Sequence, residues 1–129
     1  MIQRLSLDID RAMDEALSPF GVTYVQYLAL EETAAEPGIH TSEVARRCHV
    51  TPQTMGRIVT ILERGKLVDV RPASGRLLAL RLGGRGKAIV AECRHAVTDV
   101  EARLLAGLQR GERTELLGLL RRSGEALGT

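Results

Sequence analysis

The chain has 129 residues, 44% hydrophobic and 26% charged, a size and balance suited to one folded domain whose core needs no disulfide or metal staple. Two Tyr and one Phe are the only aromatics. The core must therefore be aliphatic, and a single-strand nucleic-acid platform, which stacks bases on rings, is argued against. The net charge of +2 conceals a division. Residues 1–39 carry two arginines against seven acids, and residues 88–129 balance at six and six. Between them, residues 40–87 hold ten Lys and Arg against Glu43, Glu63 and Asp69. A basic pole of this kind is the electrostatic footprint of nucleic-acid binding, although a solvated basic face looks the same on charge alone.

From the N-terminus, Ile2, Leu5, Ile9, Ala12, Met13 and Ala16 form one apolar stripe and predict a helix over 2–17. Ser18-Pro19-Phe20-Gly21 ends it. A second helix starts at Thr23, which with Gln26 has the capping-box form, and runs to Ala35 before the turn Glu36-Pro37-Gly38. The third spans 41–47, with His40 in the place of a cap. The fourth spans 52–64, with Thr51 as a hydroxyl N-cap, Pro52 at the first helical position and Gly65 as a left-handed stop. Strands follow at 66–71 and 76–82, joined by Pro72-Ala73-Ser74-Gly75. A long helix over about 85–108 has the stripe Ile89, Cys93, Ala96/Val97, Val100, Leu104 and Leu108. Gly111 marks a break, and a last helix carries Leu116, Leu117, Leu119 and Leu120.

The order α-α-α-α-β-β-α-α predicts a mainly α, winged helix-turn-helix protein over 1–129. A DNA-binding lobe is expected at 23–83. Helices at 1–20 and 85–128 are expected to form a dimerisation region, because an apolar stripe that long needs a partner to cover it.

Inside the central unit, Val44 and Cys48 point inward one turn apart, Ala45 sits where two helices cross, Val50 fills the turn, and Met55 and Ile58 face the core. That leaves Gln53, Thr54, Gly56 and Arg57, just after Thr51, on the exposed start of the second helix, where a helix-turn-helix reaches base edges. Gln pairs with adenine, Thr meets a thymine methyl or a phosphate, and Arg pairs with guanine or a phosphate. Arg71 and Arg76 flank the hairpin turn and suit the minor groove; Arg46 and Arg47 suit phosphate contact or surface ion pairs. Each of these positions also reads as an ordinary solvated side chain.

These segments resemble the MarR family of winged-helix regulators from about Val22 to Leu127. The match lies in VTYVQYLAL, in SEVARRCHVTPQTMGRIVTILERGKLV, in Arg76 followed by LLALRL, and in the leucine-rich end. The resemblance implies a two-fold homodimer on a pseudo-palindromic operator, acting as an effector-responsive repressor, with double-stranded DNA and a small molecule as further partners. Ser74 stands where the family's wing has an Asp that orients the Arg, and the wing loop is shorter. Gly83 replaces a capping Thr, and His49 replaces a turn glycine.

Phe20, Tyr24 and Tyr27 cluster in sequence where an effector pocket would form, or where they would simply pack. Cys48 and Cys93 read as buried structural thiols. No metal-ligand spacing, cofactor motif or nucleophile–base pair stands out, so no metal, cofactor or catalysis is expected. A membrane partner is not expected either, and the cytoplasm is the expected compartment. The alternative reading is a winged-helix module that docks an acidic protein.

Overall fold

The computed structural model describes residues 1–128. Helix α1 (Ile2–Leu17) leads through a 3-10 turn to α2 (Tyr24–Ala35). After them come β1 (Ile39–His40), α3 (Thr41–Arg47), α4 (Pro52–Arg64), β2 (Val68–Pro72), β3 (Leu78–Leu82), α5 (Gly84–Leu104) and α6 (Arg110–Ala126). The chain forms two compact units, residues 1–97 and the segment from Thr98 onward. The sheet is antiparallel in the order β1-β3-β2, with Val68 opposite Leu82, Pro72 opposite Leu78 and Ile39 opposite Leu80. The mainly α winged-helix fold is as expected, with one strand more than the sequence reading had. A two-residue strand is too short to show a period.

The core of the first unit is aliphatic as composition required, built on Leu17, Leu30, Ile39, Val44, Met55, Leu62 and Leu80. Helix α4 turns Met55, Ile58, Val59 and Leu62 inward. The Thr23–Gln26 capping box forms in both directions, at 3.2 and 3.0 Å. His40, by contrast, occupies the N-cap of α3 without a side-chain cap bond.

Both ends of the helix-turn-helix close on backbone bonds. At the turn, His49 N–H donates to Arg46 O (3.2 Å) and Val50 N–H to Ala45 O (3.1 Å), with His49 at φ 57°. Past α4, Lys66 N–H donates to Glu63 O and Leu67 N–H to Leu62 O, both at 2.9 Å. This is the Schellman pattern twice over. The expected left-handed glycine is corrected: Gly65 is right-handed at φ −76°, and Lys66 takes the left-handed place at φ 61°. Because 66 and 67 are spent on this closure, β2 starts at Val68 instead of Lys66.

Helix α5 begins close against that closure. Gly83 N–H donates to Leu67 O at 3.0 Å, and a Cβ on Gly86 would lie 2.0 Å from the same oxygen. Only glycine permits this approach. Within the first unit α5 buries Val90, Cys93 and Val97, so Val90 takes the place the stripe gave to Ile89. The helix ends at Leu104, four residues earlier than expected, because Leu105–Leu108 form a turn. In the second unit Gln109 and Glu112 make a capping box for α6, so Gly111 lies inside a helix and marks no break. No residue of α6 is buried; Leu117, Leu119 and Leu120 are exposed.

Candidate nucleic-acid interface

Helix α4 starts on a fixed cap. Thr54 N–H donates to Thr51 Oγ1 at 3.1 Å, and the Thr51 hydroxyl donates to Thr54 Oγ1 at 3.0 Å. The Thr54 hydroxyl keeps its own proton for an outside acceptor. Gln53, Gly56 and Arg57 are exposed beside it, and among the described residues Gln53 and Arg57 have no hydrogen-bond or ion-pair partner. A Cβ on Gly56 would meet nothing within 4 Å. This glycine, on an exposed helical face, serves no packing purpose within its own chain. The Gln53 N–H, the one first-turn donor without a partner among the described residues, and the helix dipole add a pull on phosphate. The structure therefore brings Thr51, Gln53, Thr54, Gly56 and Arg57 together on one exposed surface.

The wing tip is closed by Ala73 N–H to Leu77 O (2.8 Å) and Leu77 N–H to Ser74 O (3.3 Å), with Gly75 at φ 67°. Arg71, opposite Ala79, and Arg76 in the loop are both exposed, and neither is ion-paired among the described residues.

Charge in the basic segment is sorted by the fold. Arg47 donates to Glu43 (3.0 Å), Glu32 (3.2 Å) and Glu36 (3.1 Å), fastening α3 to α2. Arg46 pairs with Glu43 and so is not a free cation, although an exposed pair of this kind exchanges readily. The two guanidiniums hold the Glu43 carboxyl down at about 2. Acids of the N-terminal segment thus neutralise part of α3, while the arginines of α4 and the wing stay unpaired. The sequence reading offered surface ion pairs for Arg46 and Arg47, which form, but it did not identify the partners of Arg47 outside α3. The Glu43 spacing to Arg47 was visible as a helical i,i+4 pair, but Glu32 lies on α2 and Glu36 just past its end.

The three aromatics do not share one pocket. Phe20 lines a cavity with Ile61, Leu67 and Ile89, whereas Tyr24 lines another with Asp14, Leu28 and Cys48. Tyr27 is buried, and its hydroxyl donates to Glu31. Arg94 of α5 donates to both oxygens of that carboxylate, Nη2 to Oε1 at 2.7 Å and Nε to Oε2 at 3.0 Å. Burial and the Glu31 bond raise the Tyr27 pKa, while the Arg94 bond is the main cause lowering that of Glu31.

Cys93 is buried as expected. Cys48 is only half-buried, because α3 ends there and its last turn meets a cavity instead of the core. Burial pushes both thiols up to about 11, against the thiolate that redox chemistry needs. Among the described residues there is no group of three or more His, Cys, Asp or Glu able to hold a metal, and no helix is long and apolar enough to cross a membrane.

A family model described as MarR family matches residues 20–76. The chain is 32% identical over 127 residues to the HTH-type transcriptional repressor Rv2887 of Mycobacterium tuberculosis, covering 96% of this chain and 91% of that protein. The crystal structure of Rv2887 in complex with DNA superposes with a TM-score of 0.79 at 28% identity, over 95% of this chain and 94% of that one. Its complex with salicylic acid gives 0.77 at 32% identity, over 94% and 91%.

Proposed function

The chain belongs to the MarR family, and from that premise we propose that it is a sequence-specific, DNA-binding transcriptional repressor that releases its operator in response to a small effector. The observation that carries this reading is the capped start of α4, where Gln53, Thr54, Gly56 and Arg57 are exposed and Gln53 and Arg57 have no partner in their own chain. Two copies, joined through the helices of residues 1–20 and 85–128, place two such helices in successive major grooves about 34 Å apart. The lobe of residues 23–83 supplies the base contacts from Gln53, Thr54 and Arg57, with Thr51 holding the helix start. Arg71 and Arg76 reach the flanking groove, and Arg46 exchanges Glu43 for a phosphate. The exposed leucines of α6 support the dimer, since an apolar helix face gains its stability by being covered. The reading places the protein in the cytoplasm, with its DNA, and assigns it no catalysis.

Salicylic acid, held by Rv2887, supports a compact aromatic acid as the effector class. Selection from random duplexes tests the proposal directly. Enrichment of an inverted repeat is expected. Failure to enrich any sequence would instead favour the docking of an acidic protein on the same basic face.

A further inference from the structure

We propose that the apolar pocket at the C-terminal end of α4, between that helix, the turn before α2 and the start of α5, docks an acidic protein segment through one apolar side chain. The inference goes beyond the repressor reading, which uses Arg46, Arg57, Arg71 and Arg76 and leaves this end of the basic segment without a role.

Phe20, Val22, Ile61, Leu67 and Ile89 line the pocket, and Arg85 stands among them. Its volume of about 190 Å³ lies below that of small-molecule sites and suits one large apolar side chain. No carboxylate is among its lining residues; Glu63 of α4 lines the cavity on the wing side instead. Arg64 follows Ile61 by one turn, and Lys66 sits between the lining residues Gly65 and Leu67. Arg64, Lys66 and Arg85 are exposed, and among the described residues none has an ion-pair partner.

Two of these features run against the fold's own stability. Arg85 is the second residue of α5, where the helix dipole disfavours a cation, and that first turn holds no acid to offset it. Ile61 is 51% exposed on a helix whose Met55, Ile58, Val59 and Leu62 are all buried. The pocket is also ready-made. Leu62 and Leu67 are joined by the Leu67 N–H to Leu62 O bond at 2.9 Å, and Gly86 lets α5 press on the same Leu67 backbone. A rigid pocket loses little entropy when an anchor enters it.

The two halves of the site select the partner together. Duplex DNA would meet the three cations but leave Phe20 and Ile61 against its phosphates. A neutral segment would fill the pocket but leave the cations unpaired. A Phe or Leu with carboxylates on either side satisfies both.

Fluorescence anisotropy on the intact chain tests the site, with a labelled peptide carrying one Phe between two runs of Glu. Saturable binding is expected, weaker by roughly tenfold or more when Gln replaces the Glu residues or Ser replaces the Phe. Arg85→Glu and Ile61→Ser should each weaken the peptide by a similar factor, whereas Arg76→Ala in the wing leaves it unchanged. Arg85→Glu puts an acid at the start of α5, so the melting temperature should hold or rise, which separates a lost contact from a lost fold. Absence of saturable binding, or equal losses for Arg85→Glu and Arg76→Ala, would overturn the proposal. So would a random-sequence duplex that displaces the peptide and itself weakens with Arg85→Glu, since the patch would then be a phosphate surface. The peptide titration itself contains no DNA, so a failed operator selection would remove the repressor reading without touching the docking site.

Discussion

Arg57 and Gly56 are neighbours on the exposed face of α4, one supplying a charge and the other an absence of bulk. Arg57→Ala is expected to weaken the selected site by about 1–3 kcal/mol and to relax preference at one base pair. Anisotropy titrations on cognate and scrambled duplexes measure this; an equal loss on both would assign Arg57 to a phosphate. Gly56→Ala should act oppositely on folding and binding. A Cβ there meets only open space, so the helix gains up to about 1 kcal/mol and the melting temperature rises. DNA affinity should nevertheless fall, because the new methyl group stands between helix and groove. If affinity rose with the melting temperature, Gly56 would have no part in the interface. These positions were legible in the sequence because Met55 and Ile58 declare the buried face, leaving the residues between them outside. Arg47 was not. Of its three carboxylates, Glu32 lies on α2 and Glu36 just past its end, and only the fold brings them within reach.

Among the elements, the helix starts were readable from local chemistry, since Thr51 with Pro52 and Thr23 with Gln26 each satisfy backbone donors within a single turn. Endings were harder. Lys66 in a left-handed conformation runs against residue preference and is held by the two bonds around it, which no propensity reveals. Gly86 was equally silent, because its partner is a backbone oxygen nearly twenty positions earlier. Gly86→Ala should destabilise the fold by about 1–3 kcal/mol, since a Cβ at 2.0 Å from Leu67 O forces α5 away. Urea unfolding would show this as a lower midpoint, and an unchanged midpoint would refute the close approach. The tie between α2 and α5 carries a pH signature. Arg94 lowers the Glu31 pKa in the folded state, so its contribution is complete above the unfolded carboxylate value of about 4.3 and fades as pH falls through the folded value. Thermal melts between neutral and acidic pH should therefore decline less steeply for Glu31→Gln than for the natural chain. Equal slopes would show that the pair adds nothing.

At the scale of the whole molecule, the sequence divided the charge correctly but could not say which cations remain available. Part of the basic centre is answered from within by Glu32, Glu36 and Glu43, which leaves the unpaired arginines of α4 and the wing to face outward. Two copies acting together should be sensitive to the phase of their half-sites. Inserting about five base pairs, half a helical turn, between the selected half-sites should reduce affinity to that of a single half-site. Unchanged affinity would mean that each chain binds alone. The double closure of α4 has a consequence for how such a protein changes over generations. Thr51 at its start and the backbone clasp past Arg64 hold the helix, and Met55, Ile58, Val59 and Leu62 anchor it. Gln53 and Arg57 are therefore almost without duty to the fold. Under the proposed function, target preference can drift at these positions without a folding penalty, so a duplicated copy could acquire a new set of promoters while keeping its scaffold intact.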